Sequence, residues 1–169
     1  PDAAAACSDS GSAKDAAPAK ETMFTDKMFT KYADGKAALN LQDVSVDSSN
    51  AIYGGGLYFD DVTVTADTVT ISNVQVDRSG GGAYIDDADV SFASLNVLDA
   101  LGNDTWGVGL YLRDNSNVSV STGTISGNVA ANYTSGYYGG GIYLEGNSKL
   151  SLDSVTLSDN VAYAGGGLA

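Results

Sequence analysis

The sequence between residues 139 and 160 is GGGIYLEGNSKLSLDSVTLSDN, and its pattern decides the fold. A glycine cluster comes first, and three short runs follow in which apolar residues alternate with tyrosine or hydroxyl residues. The runs are Ile142-Tyr143-Leu144, Leu150-Ser151-Leu152 and Val155-Thr156-Leu157. Alternation with a period of two predicts β-strands that each bury one face.

The glycine cluster recurs along the chain, with its last glycine at positions 56, 82, 109, 141 and 167. Steps of 26, 27, 32 and 26 residues indicate a repeat architecture. We therefore predict an all-β, right-handed, single-stranded parallel β-helix of about five coils over residues 37–169. Its C-terminal end is expected to be incomplete, so that either further coils or another subunit stack upon it. Earlier copies of the second run are aligned as Val62-Thr63-Val64, Val90-Ser91-Phe92 and Val118-Ser119-Val120.

An asparagine follows the third run of most repeats. Asn50, Asn73, Asn128 and Asn160 occupy this place, and Ala100 interrupts the series. Stacked asparagine side chains hydrogen-bond from one coil to the next at a tight turn, where backbone groups need partners. We expect these residues to form such a column.

The combined motif resembles the repeats of polymorphic outer-membrane proteins and autotransporter passengers. It is carried by Gly140-Gly141-Ile142 with Leu157-Ser158-Asp159-Asn160, and by Ile125-Ser126-Gly127-Asn128. That family pairs GGA[I/L/V] with FxxN, whereas this chain has isoleucine or leucine in place of phenylalanine. The resemblance covers about residues 37–169. It implies a right-handed β-helix, an adhesin role, and a location outside the cell or on a bacterial cell surface.

The first 36 residues differ from the rest in composition. Residues 1–20 are rich in alanine and serine, which predicts a flexible arm. In residues 21–36, apolar side chains form a loose helical stripe that predicts a short helical cap on the open end of the β-helix. The stripe contains Met23, Phe24, Met28, Phe29 and Tyr32.

The composition of the 169 residues excludes several classes of function. The chain has no histidine and one cysteine, so it cannot by itself build a catalytic triad with histidine or a thiolate metal cluster. Its net charge of −13 argues against nucleic acid as a partner, because phosphate binding needs clustered lysine and arginine. No apolar run approaches the length of a membrane-spanning helix.

Aromatic side chains supply the candidate binding residues. Tyr58, Tyr84, Tyr111 and Tyr143 each follow a glycine cluster, and stacking of the coils should align them in one column. Such a column either binds sugars or a protein partner, or it stabilises one coil upon the next. Two repeats carry extra residues, and insertions in solenoids often bind ligands or fold back over the coil edge. Their aromatic residues are Trp106, Tyr133, Tyr137 and Tyr138.

Acidic residues follow the tyrosine strands. Asp61, Asp87 and Asp114 should stack in a second column, in which like charges repel unless a cation lies between them. This pattern suggests the hypothesis of a calcium site. In the neighbouring column, Arg113 should lie between Asp86 and Glu145 as an exposed ion ladder.

The most favoured function is a non-catalytic surface module, either an adhesin-type passenger or a structural subunit of a surface assembly. Its expected partners are a protein or glycan on a surface, with self-association through the open coil ends as a further hypothesis. The alternative is a glycan-binding or polysaccharide-active protein. The resemblance to polysaccharide lyases of this fold implies a basic residue near carboxylates that hold calcium, and Arg113 beside Asp114, with Asp86 and Asp87 one coil before, is the constellation of that type. A hydrolase would instead use paired carboxylates such as Asp86 and Asp114.

Overall fold

A computed structural model describes residues 29–31, 36–131 and 136–169. This part of the chain is all-β, and its strands stack as a solenoid of about four turns. The strands are β1 (Phe29–Lys31), β2 (Ala37–Leu41), β3 (Val44–Asp47), β4 (Asn50–Tyr53), β5 (Leu57–Asp60), β6 (Val62–Ser72), β7 (Gln75–Ser79), β8 (Ala83–Asp86), β9 (Asp89–Leu98), β10 (Leu101–Gly102), β11 (Leu110–Arg113), β12 (Asn117–Ser126), β13 (Val129–Ala130), β14 (Ile142–Leu144) and β15 (Lys149–Ser158).

The strands form three sheets, and each turn of the solenoid adds one strand layer to each of them. The long sheet contains β2 and β3, then β6, β9, β12 and β15, all parallel to their neighbours. The short sheet contains β4, β7, β10 and β13, and the tyrosine sheet contains β5, β8, β11 and β14. The predicted parallel β-solenoid is confirmed.

The prediction of about five coils needs a correction. The fifth strand layer is complete in the long sheet alone, and residues after β15 continue the other two sheets through isolated bridges. These bridges join Val161 to Val129, Ala164 to Tyr138, and Leu168 to Ile142.

The second and third alternating runs of each repeat are not separate strands. In the first full turn they form the single strand β6, which pairs with β9 from Thr63 to Ser72. Asp67 and Thr68 are both exposed, so the alternation of faces breaks there although the backbone stays paired. The third side of the coil is instead the short sheet, whose strands of two to five residues leave a weak signal in the sequence.

The helical cap predicted for residues 21–36 is wrong where the structure describes it. Residues 29–31 form the strand β1, which pairs antiparallel with β2. A strand at the end of a solenoid presents unpaired N–H and C=O groups, and a partner strand satisfies them directly. Residues 21–28 and 32–35, like the arm of residues 1–20, lie outside the described part. Among the described residues, no helix has the length and hydropathy required to cross a bilayer.

The core is a column of apolar side chains between the three sheets. Inward residues of the long sheet meet inward residues of the tyrosine sheet, and many of them are completely buried. Burying one such side chain is worth about 1.5–3 kcal/mol, so the stacked turns stabilise one another. The largest fully buried side chains of the core are those of Phe92, Ile71, Ile85, Leu95, Leu110, Leu112, Ile125 and Ile142.

The glycine clusters lie between the short and tyrosine sheets. The first glycine of a cluster has a left-handed backbone, as at Gly54 with φ of 59°, which other residues adopt at a cost. The third glycine is needed for a different reason. A Cβ atom on Gly56 would lie 2.5 Å from the carbonyl oxygen of Gly82 in the next turn and 2.5 Å from Ile71 Cγ2. The glycine corner therefore lets successive turns approach closely.

The predicted asparagine column exists for two of its four members. Asn128 is fully buried, and its Nδ2 donates to Asn160 Oδ1 at 2.8 Å and to the Val97 carbonyl at 3.2 Å. Its Oδ1 accepts from the Ala100 backbone N–H at 3.0 Å. Including Asn73 was wrong, because Asn73 lies at the left-handed turn position, with φ of 52°. Asn50 was also misplaced, since it lies in β4.

Candidate functional site

The four tyrosines predicted to align do so, and their rings form a ladder on the outside of the tyrosine sheet. Tyr58 pairs in register with Tyr84, Tyr84 with Tyr111, and Tyr111 with Tyr143. Successive ring centroids are 5.0, 5.1 and 5.6 Å apart, with near-parallel planes. The two middle rings are buried, whereas Tyr58 is 51% exposed. The middle tyrosines thus stabilise neighbouring turns, as one of the two interpretations of the column expected.

Burial changes the acidity of these rings. It raises the pKa of Tyr84, and it raises the pKa of Tyr111 further, with a hydrogen bond to Glu145 adding to the effect. Both rings therefore stay neutral over the physiological range.

A further column of residues, distinct from the tyrosine ladder and from the column of acidic residues, lies beside the ladder and was not predicted from the sequence. Each member comes immediately before a glycine cluster, and we call this set the corner column. Backbone pairing joins Tyr53 to Ser79, and Ser79 to Trp106. The next members are Tyr138 and Ala164, which form a bridge with each other. Its residue types are dissimilar, so only their place before the glycines could have revealed the column.

The aromatic members of the corner column contact the tyrosine ladder. Tyr53 meets Tyr84 edge-on with centroids 5.4 Å apart, and Trp106 stacks on Tyr143 at 6.2 Å. The indole Nε1 of Trp106 donates to the Gly136 carbonyl at 3.0 Å, which fixes the ring's orientation. Tyr53 and Trp106 nonetheless remain 41% exposed each.

A cleft opens where the corner column has a small residue between two large ones. Ser79 lies between Tyr53 and Trp106, and its side chain leaves the space that a ring would fill. The resulting cavity has a volume of about 430 Å³, within the range of small-molecule sites. We call it the aromatic cleft. Its lining residues are Tyr53, Asp77, Arg78, Ser79, Tyr84, Asp104, Trp106, Tyr111, Arg113 and Tyr137.

Both repeats with extra residues contribute to this cleft. The insertion before Gly107 supplies Asp104 and Trp106, and the longer insertion before Gly139 supplies Tyr137. Tyr137 is hydrogen-bonded to Asp104, and local desolvation together with that carboxylate raises the pKa of Tyr137. Side chains from two insertions thereby meet over one opening.

The structure brings together four of the eight predicted binding residues. Trp106, Tyr137, Tyr84 and Tyr111 line the aromatic cleft, although the two ladder tyrosines are largely covered. Tyr138 and Tyr143 stack on each other at 6.3 Å beside Trp106, outside the lining. Tyr58 lies at the end of the ladder, also outside the lining. Tyr133 lies outside the described residues.

The predicted ion ladder is confirmed. The Arg113 guanidinium lies 3.6 Å from the Asp86 carboxylate and 3.8 Å from that of Glu145, and it pairs most closely with Asp114 at 2.6 Å. It also donates to the Tyr84 hydroxyl at 3.1 Å. The bonds to Tyr84 and Asp114 raise the pKa of Arg113 above its ordinary value. Burial raises the pKa of Asp86, although Arg113 opposes that rise.

Asp61, Asp87 and Asp114 form the predicted acid column, and each has a left-handed backbone, with φ of 49°, 44° and 46°. The sequence suggested that these carboxylates need a bound cation, but basic side chains of the protein itself form ion pairs with them. Lys36 Nζ lies 3.6 Å from the Asp61 carboxylate and 3.7 Å from that of Asp87, and Arg113 pairs with Asp114. No group of three or more His, Cys, Asp or Glu within the described ranges is arranged to hold a metal ion.

Comparisons of the chain with protein-family models, curated proteins and solved structures give no match.

Proposed function

We propose that this chain is a non-catalytic extracellular module of the adhesin type, located on a bacterial cell surface. It binds a saccharide in the aromatic cleft. The observation that carries the proposal is the opening at Ser79, flanked by the half-exposed rings of Tyr53 and Trp106. Exposed aromatic faces beside a few convergent polar groups provide the contacts that a pyranose ring uses.

The rigidity of the site supports a binding role. Tyr53 and Trp106 are members of a backbone-paired column, and each packs against the tyrosine ladder. A preordered aromatic surface loses little conformational entropy when a ligand binds.

The state of Arg113 supports a non-catalytic role. A lyase base must accept a proton near neutral pH, which requires a lowered pKa. The hydrogen bonds that Arg113 donates to Tyr84 and Asp114 instead raise its pKa, and three carboxylates surround its guanidinium. Incubation with polygalacturonate and alginate, followed by absorbance of unsaturated sugar ends, should show no turnover.

Binding is best tested by filling the cleft. Ser79→Tyr places a ring where the corner column already carries Tyr53 and Tyr138, so the fold should tolerate it. We expect Ser79→Tyr and Trp106→Ala to abolish binding on a glycan array and in calorimetry. Tyr163→Ala is the control, because Tyr163 is exposed but does not line the cleft. Unchanged binding by both cleft variants would refute the proposal.

A structural role in a surface assembly is the second candidate. Within the described residues, β15 pairs with β12 on one side and has no strand partner on the other. The nearby Val161 and Leu168 are also exposed. An open strand edge favours pairing with another chain. Concentration-dependent mass from light scattering would support assembly, whereas a constant monomer mass would contradict it.

A further inference from the structure

We infer that the aromatic cleft selects a cationic saccharide, one whose ring carries a protonated amine. The inference rests on the proposed function and adds the chemical class of the ligand. Its basis is the charge within and directly around the cleft, combined with the aromatic rings that line it.

The cleft contains two cations, Arg78 and Arg113, and two carboxylates, Asp77 and Asp104. Arg113 is also surrounded by the carboxylates of Asp86, Asp114 and Glu145, at 2.6 to 3.8 Å. Two guanidinium groups against five carboxylates leave a local net charge of −3. Arg113 is thereby more than neutralised and offers little attraction to an anion.

The two lining carboxylates are held in place by neighbouring side chains. Asn103 Nδ2 donates to Asp77 Oδ1 at 3.0 Å, and Tyr137 is hydrogen-bonded to Asp104. These contacts orient the carboxylates without removing their charge, and each carboxylate can accept several hydrogen bonds. An ammonium group is a donor only, so it matches this arrangement.

The rings add a second attraction for a cation. A positive group within about 6 Å of a ring centroid is attracted to the π face, most strongly by tryptophan. Trp106 and Tyr53 both keep exposed surface at the cleft. The net charge of −13 on the whole chain favours the approach of cationic ligands and repels anionic ones.

Arg78 gives the inference a sharp test, because it opposes a cation. It is exposed, and it forms no ion pair with another residue of the described ranges. If the ligand is cationic, removing this charge with Arg78→Gln should tighten binding. For an anionic ligand, the same change should weaken binding.

The experiment compares three oligosaccharide probes on the 169-residue chain. They are the glucosamine trimer, its N-acetylated form with the same backbone but no charge, and trigalacturonate. Binding is followed by the fluorescence of Trp106, the single tryptophan of the chain, and by calorimetry. The work is done at about pH 6, where amino-sugar amines are largely protonated and ordinary aspartates are ionised.

We expect the glucosamine trimer to bind about tenfold more tightly than its N-acetylated form, with weaker binding at higher salt. Asp77→Asn should weaken that binding about threefold to tenfold, and Arg78→Gln should strengthen it by a similar factor. Asp153→Asn is the control, because Asp153 is an exposed carboxylate outside the cleft lining.

Three outcomes would overturn the inference. Equal or tighter binding of the N-acetylated trimer would remove the cationic preference but leave the proposed saccharide site intact. Preferred binding of trigalacturonate, weakened by Arg78→Gln, would reverse the sign of the charge argument. Binding of none of the three probes overturns the inference, while the glycan array decides the proposed function separately.

Discussion

Replacement of Gly56 by alanine should disturb the stacking of two turns through a single methyl group. The backbone of Gly56 lies outside the left-handed region, so the substitution causes no backbone strain of its own. The added Cβ would, however, lie 2.5 Å from the Gly82 carbonyl oxygen and 2.5 Å from Ile71 Cγ2. An unstrained contact between carbon and oxygen is about 3.3 Å, so the turns must separate by several tenths of an ångström.

The expected cost follows from that separation. Overpacking of this kind costs about 1–3 kcal/mol. The bonds from Gly56 N to the Gly81 carbonyl and from Leu57 N to the Gly82 carbonyl, both 2.9 Å, would be weakened at about 1 kcal/mol each. Alanine returns about 0.4–1 kcal/mol by restricting the unfolded chain. The net loss should be about 2–4 kcal/mol of unfolding free energy.

Gly167→Ala is the matched control, because Gly167 is the third glycine of its own cluster. A Cβ there would be 3.9 Å from the nearest atoms, both of Leu157, which is an ordinary contact. We expect Gly167→Ala to leave stability unchanged or to raise it by up to about 1 kcal/mol.

Urea unfolding followed by Trp106 fluorescence and circular dichroism measures both variants. Thermal unfolding should show Tm lowered by about 5–15 °C for Gly56→Ala, given about 2–4 °C per kcal/mol for a chain of this size. If the two variants unfold within about 0.5 kcal/mol of each other, close approach at the glycine corner is not what the third glycine provides.

Three further results are expected. Asn128→Asp should lower the unfolding free energy measured in urea by about 2–4 kcal/mol, because it buries a carboxylate against carbonyl oxygens. The control is Asn103→Asp at an exposed position, which should cost less than about 1 kcal/mol. Equal losses in the two variants would argue against a stabilising role of the buried amide hydrogen bonds. Lys36→Gln should increase the calcium dependence of Tm, because it leaves the acid column without its ammonium group. An equal Tm with millimolar calcium and with chelator in both proteins would contradict the calcium hypothesis. Hydrogen bonds led by that from Asn73 lower the pKa of Asp47, so the stability that Asp47 contributes is present above about pH 4 and lost as the pH falls through its folded pKa. NMR titration should show the pKa of Asp47 rising in Asn73→Ala, and an unchanged titration would refute that assignment.

The fold could be predicted from the sequence because the glycine clusters mark the same corner in every turn. The tyrosine that follows four of the five clusters at a fixed distance was therefore placed correctly, and Tyr58, Tyr84, Tyr111 and Tyr143 stack as expected. Arg113 was placed between Asp86 and Glu145 for the same reason.

Register farther from the glycines was harder to predict. Ser91 pairs with Thr65, although the comparison of the repeats within the sequence places it opposite Thr63. The segment from Val62 to Ala66 alternates throughout, so a shift of two residues keeps every side chain on the same face. Packing decides the register instead, since the buried Ala66 lies opposite the buried Phe92.

The candidate site was predicted only in part. Trp106 and Tyr137 were singled out as aromatic residues in insertions, and both line the cleft. The opening itself depends on Ser79, a small residue without any signal of function in the sequence. Its importance comes from its position between Tyr53 and Trp106, which the backbone pairing shows and which the sequence marks only by the place of all three residues before glycine clusters.

The corner column also has a consequence for how this protein could diversify. Inside the sheets, every side chain is constrained by its equivalents one turn above and below, so changes there propagate along the solenoid. The corner column already holds tyrosine, serine, tryptophan and alanine at equivalent positions. Insertions of different length precede two of its members, Trp106 and Tyr138. Cleft size and chemistry can therefore change by exchange of single corner residues or grafted insertions, while the stacked turns and their core keep the same register.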